Sequence, residues 1–378
     1  MQIKIIKLTK RYFQNQFKKI IHFFFFLLYG KIRKCLSAEF VDKILIKEVI
    51  KDNTKYKLYI ISNARLYTNT IDDSAVIINN KIIDGPSYQL RSEKNDNLSP
   101  RNNSPAINNI IFNIGTPRFK KKINGSVISL LSGGGANNNY FHWLYDVLPR
   151  LSFVENNNEL KKNSNNFLLV PNYNLKFQKE SLKHLNYEKN QIISSRNYRH
   201  IEPQKLFVTD HPYNITGDTK VDHEKIPAWI SSWLKEKFLT RTDIKNKYNK
   251  IYIDRDDVDP KRTSNRRIIN EDDLRIFLKN NGFKFIRLNN LSFLKQIEIF
   301  NNAEVILGLH GAGFANLSFC KPKTKVIELR TKQTGKILEN LALNNDLYFK
   351  GLEFEPKKFS DKHMGLIEVS INDLKNFL

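Results

Sequence analysis

The feature that most constrains the fold is a glycine-rich turn between two apolar runs. Residues 305–309 are apolar, residues 310–316 read His-Gly-Ala-Gly-Phe-Ala-Asn, and residues 326–329 form a second, mostly apolar run. This order predicts a buried strand, a tight turn that opens a helix, and a second buried strand. Such a turn places backbone N–H groups and the positive end of a helix against an anion. Taken alone, it predicts a phosphate or nucleotide site.

Two side chains are positioned to contact a ligand at this turn. His310 follows the first strand at its carboxyl end, where open α/β sheets bind ligands. Glu328 lies near the end of the next strand, where its carboxylate can accept hydrogen bonds from ribose hydroxyls. The alternative for His310 is a histidine whose ring nitrogens form their hydrogen bonds within the core. The alternative for Asn316 is a role only as a helix residue of the turn. The turn favours ligand contact for His310.

The C-terminal half alternates between strand-like and helix-like runs. Strands are predicted at residues 251–255, 283–288, 305–309 and 325–329. A helix is predicted from Asn270, with Asp273 as a weaker substitute for the glutamate of a capping box, to a stop at Gly282. Another helix is predicted to begin at Ser292. Repeated β-α-β units of this length imply a parallel, doubly wound sheet.

The N-terminal half begins with short strands and then mixes helices with strands. Strands are predicted at residues 57–61, 75–78, 127–131, 167–170 and 205–209. Residues 140–151 and 174–186 have helical patterns, and residues 91–109 are polar and predict an exposed loop. The fold class is therefore α/β, with a β-rich N-terminal portion.

Four segments follow from this pattern. We predict a basic and aromatic segment at residues 1–38 and an α/β domain at 39–225. A Rossmann-like nucleotide-binding domain at 226–350 and a C-terminal tail at 351–378 complete the chain. At 378 residues the chain has room for two domains with full cores.

The first segment has an unusual charge pattern. Residues 1–38 contain nine Lys or Arg and no Asp or Glu, and residues 20–29 are a run of mostly apolar and aromatic side chains. That run is too short to span a bilayer as a helix. A basic segment with an aromatic face can lie on an anionic membrane surface, or it can pack its Phe side chains on the protein itself.

Net charge and cysteine content limit the partners and the compartment. The formal net charge of +24 indicates an anionic partner such as nucleic acid, an acidic membrane or a phosphorylated substrate. The alternative is the Lys and Asn bias of an AT-rich genome. The two cysteines, Cys35 and Cys320, have no metal-binding spacing and predict no disulfide framework, which fits a reducing compartment.

A histidine and a carboxylate share one face of the predicted helix at 140–151. His142 and Asp146 are four residues apart, and a carboxylate beside an imidazole fixes its tautomer and raises its basicity. This pair is a candidate general base, and the alternative is a structural hydrogen-bonded pair. The Gly and Asn residues at 133–139 predict a flexible loop that opens into this helix.

Cations cluster after the strand at 251–255. Arg255 ends that strand, and Lys261, Arg262, Arg266 and Arg267 follow. Such a cluster can bind a diphosphate or form solvated ion pairs with the aspartates nearby. We take Arg255 and Arg267 as the candidate diphosphate ligands.

Together these segments resemble glycosyltransferase family 61. The resemblance rests on residues 139–151, 251–255 with 266–271, 291–297, 309–317 and 326–329. It implies a GT-B-like fold of two Rossmann-like domains facing a cleft, with residues 39–225 as the domain on the acceptor side. It also implies inverting, metal-independent transfer of a sugar from a nucleotide-sugar, commonly a UDP-sugar, to a hydroxyl of a glycan or protein. No cofactor is expected, because the nucleotide-sugar is itself the donor substrate.

The resemblance also assigns roles to single residues. Arg255 would hold the diphosphate, and Glu328 would bind the ribose. His142 and Asp146 would face the acceptor, with either as the base. The donor site would be lined by His310, Gly311, Ala312, Gly313 and Asn316. Phe314 stands where the family pattern often has Leu.

Functions of other classes remain open from the sequence. A protein that binds nucleic acid or other polyanions would explain the charge but not the glycine turn or Glu328. A nucleotide-dependent oxidoreductase would want a Gly-x-Gly-x-x-Gly turn, and here Asn316 stands in place of the third glycine. An inactive nucleotide-binding module is the third alternative. We expect a transferase of cell-surface polysaccharide synthesis with a glycan or glycolipid acceptor, no nucleic acid partner, and a cytoplasmic location at the inner face of the membrane.

Overall fold

The chain divides into two compact units. The computed structural model describes residues 2–69, 73–89, 106–131, 138–162, 165–214, 216, 218–241, 248–255, 266–356, 358–361 and 364–378. The first unit comprises Met1–Asn138, Asp146–Tyr173 and Glu188–Thr219. The second comprises Asn139–Tyr145, Asn174–Tyr187 and Lys220–Leu378.

Short helices and strands build both units. The helices are α1 (Gln2–Tyr29), α2 (Ile111–Ile114), α3 (Tyr140–His142), α4 (Asn158–Lys162), α5 (Lys176–His184), α6 (Thr219–His223), α7 (Ala228–Phe238), α8 (Glu271–Asn280), α9 (Phe293–Asn302), α10 (Ile337–Asn344) and α11 (Ile371–Lys375). The strands are β1 (Lys34–Ser37), β2 (Ile44–Lys51), β3 (Thr54–Ser62), β4 (Arg65–Tyr67), β5 (Asp73–Ile78), β6 (Lys81–Asp84), β7 (Tyr88–Gln89), β8 (Lys121–Ser129), β9 (Asn166–Val170), β10 (Ile192–Ser194), β11 (His200–Thr209), β12 (Tyr248–Ile253), β13 (Arg267–Ile268), β14 (Lys284–Ile286), β15 (Ala303–Leu309), β16 (Lys325–Thr331), β17 (Tyr348–Phe354), β18 (Lys358–Asp361) and β19 (Met364–Ile367).

The first unit is built on a mixed sheet of eleven strands. Its main path runs β1-β6-β5-β4-β11-β8-β9-β10, with β3 joining β11 to β2 and β7 pairing with β5. The central strand β11 runs parallel to β8 and antiparallel to β3 and β4. The strands β1 to β6 and β8 to β11 include every strand predicted in this half of the sequence.

Two hairpins of this sheet depend on the Asn and Asp content of the chain. Asp52 and Asn53 connect β2 to β3 with φ of 42° and 62°. Asn79 and Asn80 connect β5 to β6 with φ of 49° and 56°. Two consecutive residues with positive φ make the tight turn whose twist matches the flanking strands, and Asn and Asp tolerate this conformation best after Gly.

The second unit is built on five parallel strands in the order β14-β12-β15-β16-β17. The helices α8 and α9 lie between successive strands along the chain, as the β-α-β pattern predicted, and α10, which was not predicted, lies between β16 and β17. Leu274 and Leu278 of α8 pack with Tyr252, Leu307 and Ile327 of the sheet. A smaller sheet, β13-β19-β18, belongs to the same unit. Residues 351–378, which were predicted as a tail, therefore supply strands and the helix α11 to the second unit.

Helix ends in the second unit confirm some predictions and correct one. Gly282 follows α8 with φ of 78°, and the Ser292 hydroxyl accepts a hydrogen bond from the Lys295 N–H at the start of α9. The predicted capping box at Asn270 and Asp273 is wrong, because Asn270 makes no side-chain cap. Its amide instead donates to the Val369 carbonyl and accepts from the Val369 N–H.

The segment predicted as one helix at 140–151 is helical but irregular. It begins as α3, continues as a π-helical turn at Trp143–Val147 and ends as a 3₁₀ helix at Leu148–Phe153. Single π-helical turns are rare and are often found at functional sites. The preceding loop at 132–137 lies outside the described residues, as does most of the polar loop at 91–109.

The last turns of the N-terminal helix α1 pack on the rest of the first unit. Phe25 is buried against the ring of Phe119, with ring centroids 5.1 Å apart, and the Tyr29 hydroxyl accepts a hydrogen bond from the Lys120 N–H. In the part of the chain that the structure describes, no helix has the length and apolar character needed to cross a bilayer.

Candidate functional site

The strand order of the second unit reverses its direction at β12. From β12 the chain goes to one neighbour, β14, and then returns to the other neighbour, β15. Open parallel sheets bind ligands at this reversal, outside the carboxyl ends of the two strands. Arg255 follows β12 and His310 follows β15, so both sequence-predicted residues lie at this reversal.

Two arginines converge on one carbonyl at this edge. Nη1 of Arg255 donates to the His310 carbonyl at 3.0 Å, and Nη1 of Arg266 donates to the same oxygen at 3.4 Å. Burial, followed by the positive charge of Arg255, lowers the pKa of Arg266 to about 10. Two like charges held together in a partly buried site favour the binding of an anion.

From the sequence we predict Arg267, the neighbour of Arg266, as the second diphosphate ligand. Arg267 lies on β13, in register with Leu366 of β19. Its predicted contact with a diphosphate stays a prediction, while Arg266 is the residue that reaches the turn. Nothing in the spacing of the two adjacent arginines distinguishes them. In the structure Arg266 precedes β13, whereas Arg267 is its first residue.

The glycine turn is shaped by close neighbours. A Cβ on Gly311 would lie 3.2 Å from Nη1 of Arg255, and a Cβ on Gly313 would lie 2.7 Å from Cδ1 of Leu288. The turn leads into a 3₁₀ helix at Ala312–Phe319, where an α-helix was expected. The first N–H groups of a helix have no partner within it, so the start at Ala312 offers donors beside the two arginines.

His310 is held by a buried carboxylate. Its Nδ1 pairs with Oε1 of Glu328, a fully buried residue whose Oε2 accepts from Nη1 of Arg330 at 3.2 Å. Nη2 of Arg330 in turn donates to Glu353 at 2.9 Å. Both oxygens of the Glu328 carboxylate thus contact protein groups. The predicted ribose contact of Glu328 stays a prediction, and the arrangement itself fixes the orientation of the His310 ring.

The aspartate next to Arg255 belongs to an ion-pair cluster. Asp254 is buried, with Arg275 at 2.5 Å and Arg287 at 3.1 Å from its oxygens. Among the described residues no group of three or more His, Cys, Asp or Glu is close enough to hold a metal ion. The rest of the acidic run, from Asp256 to Asp259, lies outside the described residues, together with Lys261 and Arg262.

The start of the 140–151 segment contacts the glycine turn within the second unit. The Tyr140 hydroxyl donates to Oδ1 of Asn316 at 2.7 Å, and the Tyr145 hydroxyl donates to the Ala315 carbonyl at 2.9 Å and lies 2.5 Å from the Ser318 hydroxyl. Asn316 is fully buried and also donates to the Gly313 carbonyl. Asn316 therefore joins the start of the 140–151 segment to the glycine turn, and its predicted role in lining the donor site stays a prediction.

The two candidate bases have different surroundings. His142 is half-buried and belongs to the second unit, with its ring centroid 5.7 Å from that of His223. Asp146 is buried and belongs to the first unit, where the Tyr213 hydroxyl donates to it at 2.5 Å. Nε2 of His211 lies 3.9 Å from the other carboxylate oxygen of Asp146.

His211 and Tyr213 were not found from the sequence. Nδ1 of His211 accepts hydrogen bonds from the N–H groups of Asn214, at 2.9 Å, and Tyr213, at 3.3 Å. This leaves Nε2 as the protonated nitrogen, directed at Asp146. A signal was available, since these titratable residues follow β11 at its carboxyl end.

A comparison with protein families decides the class of the protein. Residues 140–327 match the family model Glycosyltransferase 61. The chain carries a glycosyltransferase family 61 domain. The match begins at the first motif and ends in β16, so it includes His142, Asp146, Arg255 and the glycine turn. The family makes glycosyl transfer the activity class of this domain. No curated protein matches the chain.

Proposed function

We propose that this glycosyltransferase family 61 domain binds a nucleotide-sugar, with UDP-sugar as the first choice, at the strand reversal of the second unit. The observation that carries the proposal is the convergence of Arg255 and Arg266 on the His310 carbonyl at 3.0 and 3.4 Å. Guanidinium groups are the preferred ligands of phosphates, since their planar fork matches two phosphate oxygens. The donor diphosphate would lie against both arginines and the first N–H groups after Gly311.

The chemistry we propose is a single displacement with inversion and without a metal. The leaving diphosphate carries negative charge that develops in the transition state, and fixed positive groups stabilise it there. Arg255, Arg266 and the start of the 3₁₀ helix supply these groups. The GT-B-like arrangement that the family resemblance implies is part of this proposal.

One base must remove the proton of the acceptor hydroxyl. His142 and Asp146 are the two candidates, and the Tyr213 hydrogen bond at 2.5 Å holds the Asp146 carboxylate in one orientation. The acceptor is a hydroxyl of a glycan or glycolipid, in keeping with a role in cell-surface polysaccharide synthesis. Glu328 acts as a positioning residue, because its carboxylate orients the His310 ring.

We also propose that α1 binds an anionic membrane surface at the cytoplasmic side. Its exposed apolar side chains each show half or more of their surface and recur at helical spacing; they are Tyr12, Phe13, Phe17, Ile20, Phe23, Phe24, Leu27 and Leu28. Residues 1–38 carry nine basic and no acidic side chains. An apolar stripe on a cationic helix suits the interface of an anionic bilayer.

The test is nucleotide release from a panel of UDP-, GDP-, CMP- and TDP-sugars, with and without EDTA. We expect release with one nucleotide class, slow without an acceptor and unchanged by EDTA. Binding without release, even with a cell-surface glycan extract as acceptor, would identify an inactive nucleotide-binding module. A loss of release in EDTA that Mn²⁺ restores would contradict the metal-independent mechanism.

A further inference from the structure

The first unit contains a cavity that is lined by residues between Lys55 and Asn214. The glycine turn is not part of this lining. The cavity volume is about 480 Å³, and its lining includes Tyr56 of β3, Tyr88 of β7, Arg150 and the residues that follow β11. Every lining residue belongs to the first unit. A volume of this size lies within the range of small-ligand sites, about 300–1,000 Å³.

Arg150 brings hydrogen-bond donors to this cavity. It is 3% exposed, its Nε donates to the Asp146 carbonyl at 3.0 Å, and its Nη1 donates to the carbonyls of Thr209 at 3.1 Å and Asp210 at 3.3 Å. Among the residues that the structure describes, no group accepts from its Nη2 and no carboxylate forms an ion pair with it. On a side chain that is otherwise buried, a guanidinium nitrogen that faces open space favours a ligand that supplies oxygen acceptors.

Asp210 brings an acceptor to the same cavity. It follows β11, and its Oδ2 accepts from the Lys57 N–H at 2.7 Å. Within the described ranges its Oδ1 has no hydrogen-bond donor. Burial raises the pKa of Asp210.

A sugar matches this set of groups. Each hydroxyl of a sugar both donates and accepts, so it can accept from a guanidinium and donate to a carboxylate. The apolar C–H face of a sugar ring packs on aromatic side chains, and Tyr56 and Tyr88 line the cavity. A nucleotide diphosphate matches it less well, since Asp210 and the exposed Asp84 also line it.

We propose that this cavity binds one sugar residue of the acceptor, with Arg150 donating to its oxygens and Asp210 accepting from one of its hydroxyls. The proposal rests on the proposed function. His211 connects the cavity to a candidate base, because it lines the cavity and its Nε2 lies 3.9 Å from the Asp146 carboxylate.

The test is saturation-transfer NMR on the full chain with methyl glycosides of common neutral and acidic pyranoses. We expect at least one glycoside to bind saturably. Asp210→Asn keeps the shape of the side chain but loses the charged acceptor, so affinity should fall about tenfold or more. Asp42→Asn, at an exposed aspartate of the same unit, should leave affinity unchanged. Arg150→Lys keeps the charge but loses the fork, and it should also weaken binding.

Absence of binding for every glycoside, or equal affinity in Asp210→Asn and the wild type, overturns the proposal. Should Arg150→Lys fail to fold, Asp210→Asn still decides. UDP titrated into the same samples separates the two proposals. UDP binding without any glycoside binding overturns the acceptor cavity and leaves the donor proposal standing. Glycoside binding that depends on Asp210, without binding of any nucleotide, supports the cavity and rejects the donor site.

Discussion

The two units each hold an arginine whose guanidinium donates to main-chain carbonyls, but the neighbour of that arginine differs. In the second unit Arg255 shares the His310 carbonyl with a second cation, Arg266. In the first unit Arg150 donates to the Asp210 carbonyl and lines a cavity with the Asp210 carboxylate. The difference indicates how charge selects the ligand: two cations favour a diphosphate, while a cation and a carboxylate favour an uncharged polyhydroxyl ligand.

The largest effect is expected from the base, and its position decides which unit performs the proton transfer. Removal of a general base typically slows catalysis by about 10²–10⁴-fold. If His142 is the base, His142→Ala should abolish transfer, and Asp146→Asn should cost less. If Asp146 is the base, this order reverses. Initial rates of sugar transfer give the answer, with nucleotide affinity as the control, since it should persist in both variants. Near-normal turnover in both would show the pair to be a packing feature.

Acid should separate the stabilities of the two units. His200 of the first unit is fully buried between the rings of Tyr29 and Tyr67, its Nδ1 donates to the Arg118 carbonyl, and burial lowers its pKa to about 4. The neutral ring is stabilised in the folded state. Its contribution is therefore complete above the ordinary pKa of 6.5 and is lost as the pH falls from there towards 4. By pH 4 the free energy of unfolding is lower by about 3 kcal/mol.

This prediction has a spectroscopic readout. The three tryptophans, Trp143, Trp229 and Trp233, all belong to the second unit. Urea unfolding at pH 4 should therefore show an earlier transition by far-ultraviolet circular dichroism than by tryptophan fluorescence. His200→Asn, whose amide can still donate to the Arg118 carbonyl, should reduce the gap. Coincident transitions at pH 4 and 7 would argue against a selective loss in the first unit.

A smaller effect is expected for the membrane surface, a property of the first unit alone. Phe17→Ser with Leu27→Ser removes two exposed side chains of α1, each worth about 1.5–3 kcal/mol when buried. Sedimentation with vesicles of phosphatidylglycerol and phosphatidylcholine should show weaker binding by at least tenfold. Phe40→Ser, at an exposed aromatic residue outside α1, is the matched control. No binding to anionic vesicles, or the same loss in Phe40→Ser, would contradict the proposal.

More of the candidate site could be predicted from the sequence in the second unit than in the first, for a physical reason. A parallel sheet brings the residues that follow its strands to one edge, so Arg255 and His310 could be placed together from the strand pattern alone. The hydrogen bond from Arg266 to the His310 carbonyl spans 44 residues, and β13, which follows Arg266, pairs with residues 366–367; no local sequence pattern reveals either contact.

In the first unit the polar groups come from distant parts of the chain. Arg150 meets residues 209 and 210 through hydrogen bonds that span 59 and 60 residues. Asp146 likewise accepts a hydrogen bond from the hydroxyl of Tyr213, 67 residues away, a contact that its spacing from His142 did not indicate. Sequence spacing describes a helix face, but it does not describe which loop packs against that face.

The most direct measurement of the central claim is the affinity for UDP by isothermal titration calorimetry. Arg255→Ala removes one of the two cations at the strand reversal, and loss of a charge-assisted hydrogen bond typically costs about 1.5–3 kcal/mol. We therefore predict weaker binding of about 10- to 100-fold in Arg255→Ala, and weaker binding in His310→Ala, with the fold intact by circular dichroism. Arg196→Ala, at an exposed arginine of the first unit, should bind UDP like the wild type. Unchanged affinity in both Arg255→Ala and His310→Ala would contradict the assignment of the donor site.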